Sequence, residues 1–183
     1  MKEQISERIL AMEEYLEEIA RELLKKQQEY IRVILKNDKS GSGSRLLEEL
    51  FELAQIVYGH QEYKQVTLSF LRSSFITKSH VFLACCQGEI LFLQENPVER
   101  EIDLLPLFAE VEKDVQELET ALRQKFIRIS EGEIETIRRW YQELLYLSLG
   151  EVFETIISQN GDAQAVPLLY GGYMEEQRQI GWI

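Results

Sequence analysis

A stripe of apolar residues, spaced alternately four and three positions apart, begins the chain and constrains the fold more than any other feature. This spacing keeps one narrow apolar face turned toward a partner helix, as in a coiled coil or a helix bundle. It predicts a helix from Lys2 to about Lys36, roughly 50 Å long. The residues of this first stripe are Ile5, Ile9, Met12, Leu16, Ile19 and Leu23.

A second stripe with the same spacing extends from Leu104 to Leu122, and segments rich in strand-forming residues lie between the two stripes. We therefore predict an α+β fold: the long, coiled-coil-like N-terminal helix and two or three more long helices pack on a small, mostly antiparallel sheet. The first stripe can be buried against the second stripe of the same chain, or it can contact another molecule. The sequence leaves both alternatives open.

The N-terminal helix is followed by alternating serine and glycine residues from Ser40 to Ser44. Such a run is typical of a flexible linker. It is either a natural hinge or an engineered replacement for a longer loop. The sequence therefore divides into a helix at 1–37, a linker at 38–44 and an α+β body at 45–183.

The body begins with one buried helix, which is followed by strands. Residues 45–58 are apolar around most of the helix circumference, which predicts deep burial. Alternating and continuous apolar residues at 65–93 predict two or three antiparallel strands. A helix at 63–76 is the alternative, because Leu68 and Leu71 also fit helical spacing.

The second half of the body contains two clear helix signals. Asn96 and Pro97 have the form of a helix start, and Ser130 with Glu133 has the form of a capping box. The predicted elements are a helix at 104–125, a short strand at 126–129, a helix at 131–160 and one or two strands at 166–183.

The charge of the chain limits the partners it can attract. The formal net charge is −12, and between Glu95 and Glu119 nine acids stand against two bases. Binding to nucleic acids or to anionic membranes depends on exposed Lys and Arg, so we expect neither kind of partner. A basic protein would be attracted to the acidic stretch, although such stretches are usually only a solvated surface.

The cysteines indicate a compartment. Cys85 and Cys86 are neighbours, and adjacent side chains of a strand point to opposite faces, so the two thiols cannot form a disulfide with each other without strain. We interpret both as small buried thiols and expect a cytoplasmic protein. The N-terminus shows no export signal, and no apolar run is long enough to cross a bilayer.

Few residues suggest catalysis or metal binding. The only histidines, His60 and His80, do not combine with the thiols in a zinc-binding spacing. Carboxylate pairs such as Glu110 and Asp114 lie on helices, opposite the apolar stripe, where we expect them to be solvated. We therefore predict no metal and no cofactor, and we favour a protein without a catalytic centre.

One segment could still bind an anion. Arg72 ends an apolar strand and is followed by the hydroxyls of Ser73 and Ser74, and these groups together can hold a carboxylate or a phosphate. The simpler interpretation is a structural arginine that pairs with one of the many glutamates of the chain.

Three hypotheses for function follow. The first is an intracellular protein for helix-mediated protein–protein interaction or assembly, whose first stripe contacts a protein partner or a second copy. The second is an acidic inhibitor or chaperone-like protein that binds a basic partner. The third is a small-molecule enzyme that uses the Arg72 region.

Overall fold

The computed structural model describes residues 2–37, 41–90, 97–160 and 166–183. Five helices and five strands make up these residues, which confirms the predicted α+β class. The helices are α1 (Lys2–Asn37), α2 (Ser42–Gly59), α3 (Ser73–Thr77), α4 (Val111–Lys125) and α5 (Glu131–Asn160). The strands are β1 (Gln65–Phe70), β2 (Val81–Gln87), β3 (Val98–Asp103), β4 (Pro167–Gly172) and β5 (Gln177–Trp182).

The chain forms two compact units, and α1 and α5 each contribute residues to both. We call the first the helical unit; it consists of Met1–Tyr30 and Ala109–Ser148. We call the second the mixed unit; it consists of Ile31–Phe108 and Leu149–Ile183. The division differs from a simple succession of helix, linker and body, because the N-terminal helix shares a unit with α4 and the first part of α5.

The helical unit is built on three helices. Gln27 of α1 is hydrogen-bonded to Asp114 of α4, whereas the earlier Tyr15 packs edge-on against Phe126, which follows α4, so α1 and α4 run antiparallel. An apolar core lies among the three helices. Its members include Met12, Leu16, Leu23, Val115, Leu118, Leu122, Ile137 and Leu145, all at most 3% exposed.

The mixed unit contains a single five-stranded sheet of order β3-β2-β1-β4-β5. All neighbouring strands are antiparallel except β1 and β4, which are parallel and pair Leu68 with Tyr170. Parallel strands need a long crossover, and this one passes through most of the other elements. The pairing of β4 with β5 has an irregularity between Leu168 and Leu169.

One face of this sheet is covered by helices. Phe82 of β2 and Tyr170 of β4 pack against Phe153 of α5, with ring centroids 6.4 and 5.4 Å away. On the same face, the thiol of Cys86 donates a hydrogen bond of 3.6 Å to the carbonyl of Leu53 in α2. Burial under α2 and α5 thus explains the apolar residues that lie on this face, which are Leu68 and Phe70 of β1 and Phe82, Ala84 and Cys86 of β2.

The capping box predicted for the last helix is present. Oε2 of Glu133 accepts hydrogen bonds of 2.7 Å from the backbone N–H of Ser130 and 2.8 Å from its hydroxyl. The N–H of Glu133 in turn bonds to the Ser130 hydroxyl at 3.3 Å. This exchange satisfies backbone donors that the first turn of α5 leaves without helical partners.

Several predicted elements differ from the structure. The segment after Asn96–Pro97 is strand β3 rather than a helix, because its backbone pairs with β2. The predicted strand at 126–129 is a loop, and its Arg128 has a φ of 57°. Helix α4 begins only at Val111, after a 3-10 turn at Leu105–Phe108. The predicted linker ends earlier than expected, because residues 42–44 form the first turn of α2. The predicted strand residues 91–93 and linker residues 38–40 lie outside the described part of the chain.

No helix among the described residues combines the length and the apolar character that crossing a bilayer requires.

Candidate functional site: an acidic groove on the helical unit

The helical unit contains one polar layer in its apolar core. Oδ2 of Asp114 accepts hydrogen bonds from the Tyr141 hydroxyl at 2.6 Å and from Nε2 of Gln27 at 2.8 Å. Each of the three helices supplies one of these side chains, and they are between 0% and 9% exposed. Burial raises the pKa of Asp114, and the two hydrogen bonds oppose that shift. The layer is therefore a hydrogen-bonded contact that ties the three helices together.

The burial of Asp114 corrects the expectation that the carboxylates of this helix are solvated. Asp114 follows Val111 by three residues and precedes Leu118 by four, which places it on the buried side of α4. Gln27 likewise follows Leu23 by four. The stripes alone do not identify the layer, because the four-and-three rhythm continued past Leu23 leads to the exposed Lys26 rather than to Gln27.

A groove lies on the surface between α1 and α4, beside this core. It is an open depression of about 420 Å³, and Ile19 of α1 contributes its half-buried side chain. The acidic side chains of Glu22 and Glu117 also line it, and no basic residue from the described part of the chain does. We call this the acidic groove; its lining residues are Ile19, Glu22, Gln116, Glu117, Thr120, Ala121 and Gln124.

The two acids of the groove, Glu22 and Glu117, make no direct ion pair with a described Lys or Arg side chain. Among the described residues, no Lys or Arg nitrogen lies within 4.0 Å of the carboxylate of Glu22 or of Glu117. The nearby Lys113 forms an ion pair with Glu110, and the positive charge of Lys26 attracts the buried carboxyl group of Asp114. The groove thus combines an apolar side chain with two available negative charges, a combination that favours a basic amphipathic ligand.

At one end of the groove lies a basic corner, which we define as Lys125, Ile127 and Arg128. The ammonium of Lys125 lies 5.8 Å from the ring centroid of Tyr15, which is a cation–π distance. Ile127 is 82% exposed. The guanidinium of Arg8 holds the backbone here, because its Nη2 donates to the carbonyls of Ile127 at 3.0 Å and Arg128 at 3.4 Å.

Comparison with known proteins adds no function to this geometry: no protein-family model matches the chain, and no curated protein or solved structure matches it significantly.

The structure separates the first stripe into buried and accessible members. Met12, Leu16 and Leu23 are at most 2% exposed, so their contacts lie within the chain. Ile9 and Ile19 are half-buried and keep surface available to a partner. The side chain of Ile5, the remaining member of the stripe, lies outside what the structure describes.

The Arg72 segment lies in the mixed unit. Nε of Arg72 is 2.6 Å from Oε1 of Glu175. The backbone carbonyl of Ser73 accepts from the Thr77 hydroxyl at 3.1 Å, and the buried Ser74 hydroxyl donates to the carbonyl of Val81 at 3.2 Å. The Arg72 and Ser74 contacts connect the start of α3 with the turn before β5 and with β2, whereas the Ser73 contact lies within α3.

The thiols and histidines are buried or paired with aromatic rings. Burial raises the pKa of Cys85 to about 12 and that of Cys86 to about 11, so neither is a thiolate at neutral pH. The His80 ring stacks on Phe108 at 4.4 Å, and His60 lies 6.0 Å from the Tyr63 ring. Within the described part of the chain, no group of His, Cys, Asp and Glu side chains is arranged to hold a metal ion.

Proposed function

We propose that this chain is a protein-interaction protein that works through the helical unit and binds a basic amphipathic helix in the acidic groove. The single observation behind this proposal is that the groove places the unpaired carboxylates of Glu22 and Glu117 beside the apolar side chain of Ile19. A helix can lay an apolar residue over Ile19 and direct Lys or Arg side chains to the two acids.

This proposal joins two hypotheses drawn from the sequence. The contact is mediated by α1, as a helix-interaction protein requires, and the partner is basic, as an acidic inhibitor or chaperone-like protein requires. Glu117 belongs to the acidic stretch that ends at Glu119. The cysteines Cys85 and Cys86 are free and buried, which fits a reducing compartment, so we propose that the interaction takes place in the cytoplasm.

The binding should be weak to moderate and electrostatically assisted. A groove of about 420 Å³ accommodates a few side chains, so the interface is small and the expected Kd is on the order of 10 µM. Because the two carboxylates are exposed at the rim, salt should weaken the complex by screening them.

The test uses a basic amphipathic peptide of about 18 residues, with leucines at helical spacing flanked by lysines, and a counterpart in which glutamates replace the lysines. Fluorescence anisotropy should show saturable binding of the lysine peptide, weakened by salt, and no binding of the glutamate peptide. The variant Glu22→Lys/Glu117→Lys should lose at least about tenfold in affinity.

The matched control is Glu14→Lys/Glu154→Lys, because it makes the same charge change at two exposed acids outside the groove. Its affinity for the lysine peptide should stay within about twofold of the unmodified chain. An equal loss in both variants would show that only the net charge attracts the peptide, and the proposal would be wrong.

A further inference from the structure

The surface beside the acidic groove follows a charge pattern along both of its helices. On α4, residues four apart change from acidic to apolar to basic, and on α1 the corresponding surface changes from acidic to apolar to aromatic. A step of four residues is about one helical turn, or 6 Å. We call this surface the seam; it consists of Glu117, Ala121 and Lys125 on α4 and of Glu22, Ile19 and Tyr15 on α1.

The basic end of the seam is Lys125, whose ammonium lies over the ring of Tyr15, and Arg128 of the basic corner follows it closely in the chain. Within the described part of the chain, no carboxylate oxygen lies within 4.0 Å of the side-chain nitrogens of Lys125 or Arg128. The neighbouring Arg123, by contrast, is paired with Glu119 at 2.7 Å. The seam therefore has an unpaired positive end, an apolar middle and an unpaired negative end.

Such a pattern is complementary to itself. When a second copy is turned by 180° about an axis through Ile19 and Ala121, its positive end lies over the negative end of the first copy, and the reverse contact forms at the same time. We propose that the seam binds a second copy of this chain in a two-fold arrangement, with Lys125 and Arg128 facing the partner's Glu22 and Glu117. This inference rests on the proposed function, because it assigns the same two carboxylates of the acidic groove to the basic C-terminal end of α4 in a second copy.

The basic corner is well suited to this contact because its backbone is already held in place. Arg8 binds the carbonyls of Ile127 and Arg128, and the N–H of Phe126 bonds to the carbonyl of Leu122 at 2.8 Å. A surface that is ordered before binding loses less conformational entropy when the complex forms. The seam spans only about 12 Å along α4, so we expect a weak dimer, with a Kd of about 10–100 µM.

The test is sedimentation equilibrium over a range from about 1 to 500 µM, with the full chain and two variants. The unmodified chain should approach twice the monomer mass at high concentration, and salt should reduce this. The groove variant Glu22→Lys/Glu117→Lys and the corner variant Lys125→Glu/Arg128→Glu should each remain monomeric, because like charges then face each other.

A mixture of the groove variant and the corner variant gives the most specific test of the two-fold contact. In an equimolar mixture the positive seam of one variant faces the negative seam of the other, so a heterodimer should form at least about tenfold more tightly than the unmodified dimer. A chain with all four reversals should dimerise again like the unmodified one, which shows that the substitutions leave the fold intact. The Glu14→Lys/Glu154→Lys control should dimerise normally.

A chain that stays monomeric across the whole range would overturn the inference, and so would a mixture that fails to pair. Titration of the lysine peptide into the same samples distinguishes a failure of this inference from a failure of the proposed function. Peptide binding by a purely monomeric chain leaves the proposed function standing and removes only the second copy as occupant. Absence of both peptide binding and dimerisation removes both.

Discussion

The hydroxyl of Tyr141 donates a hydrogen bond of 2.6 Å to the same Asp114 oxygen that accepts from Gln27. Two neutral donors thus face a carboxyl group that burial would otherwise drive toward its protonated form. The net effect is a raised pKa for Asp114, since burial outweighs the donors together with the attraction of Lys26, and Glu117 adds repulsion. Asp114 is therefore both a connector of three helices and a titrating group in their core.

The variant Asp114→Asn should be at least as stable as the unmodified chain at neutral pH. The asparagine oxygen can accept from Tyr141 and Gln27, and its amide can donate to Oε1 of Gln27, which has no partner among the described residues. By contrast, Asp114→Leu leaves two buried donors unpaired and should lower the free energy of unfolding by about 3 kcal/mol. Urea unfolding at neutral pH measures both changes.

The same pair of chains reveals the pH dependence. Because the folded-state pKa of Asp114 is raised, its contribution to stability is present below its unfolded value of about 3.9 and is lost as pH rises through the folded value. The difference in free energy of unfolding between Asp114→Asn and the unmodified chain should therefore shift in favour of Asp114→Asn over this range. A difference in free energy of unfolding that does not change with pH would contradict a raised pKa of Asp114 in the folded chain.

The capping box at the start of α5 should show the opposite pH dependence. The backbone hydrogen bond from Ser130 lowers the pKa of Glu133, and its hydroxyl and Arg8 add to this. The contribution of Glu133 is thus present above its unfolded pKa of about 4.3 and is lost as pH falls through the lower folded value. Thermal unfolding of Glu133→Gln at several acidic pH values should lack this loss.

Removing the Ser130 hydroxyl should lower the free energy of unfolding more than removing only the charge of Glu133. Ser130→Ala takes away the hydroxyl that bonds to the N–H of Glu133 and should lower the free energy of unfolding by about 1 kcal/mol. Glu133→Gln keeps a side chain that can still accept from the Ser130 N–H, so at neutral pH it should cost less. The reverse order of the two costs would show that the ion pair with Arg8 dominates.

The two thiols should be inert in the folded protein. Burial, together with repulsion from Glu99, raises the pKa of Cys85 to about 12, while nearby Arg100 only partly offsets the effect of burial on Cys86, whose pKa is about 11. Ellman's reagent at mildly alkaline pH should therefore label neither thiol in native buffer and both in denaturant. Rapid labelling of Cys85→Ser in native buffer would show that Cys86 is accessible.

Two glycines should respond to alanine in opposite directions. A Cβ at Gly171 would lie 2.6 Å from the backbone carbonyl oxygen of Glu176, so Gly171→Ala should destabilise the mixed unit by about 1–3 kcal/mol. Gly132 is exposed in the first turn of α5 and has nothing within 4 Å of a new Cβ. Gly132→Ala should therefore stabilise the chain by up to about 1 kcal/mol, as followed by urea unfolding.

The predictable parts of the fold are those set by local spacing. The four-and-three rhythm located the buried Met12, Leu16 and Leu23, and the pairing of Ser130 with Glu133 located the start of α5. Strand β3 was missed because its sequence carries four charged residues and follows a proline. Its backbone bonds to the preceding strand β2 decide its conformation, and the side chains of β3 give no sign of this pairing.

The acidic groove could not be predicted from the sequence, because none of its residues is unusual alone. Glu22 and Glu117 become neighbours in one groove only through the antiparallel packing of α1 on α4. The loop conformation of the basic corner could not be predicted from the sequence either. Residues 126–129 have the composition of a strand, but they pair with none of the five described strands, and Arg8 instead holds the backbone of Ile127 and Arg128 in a loop.

The polar layer also bears on which arrangement of the three helices is tolerated. If α1 slid along α4 by one turn, Leu23 would take the place of Gln27, and the buried carboxylate of Asp114 would lose one of its two donors. Leucine side chains elsewhere in the core are nearly interchangeable along the axis, so they penalise such a slip only weakly. The hydrogen bonds of Asp114 thus favour the native register of α1 on α4 over shifted registers, although burial of its carboxylate lowers the overall stability of the bundle.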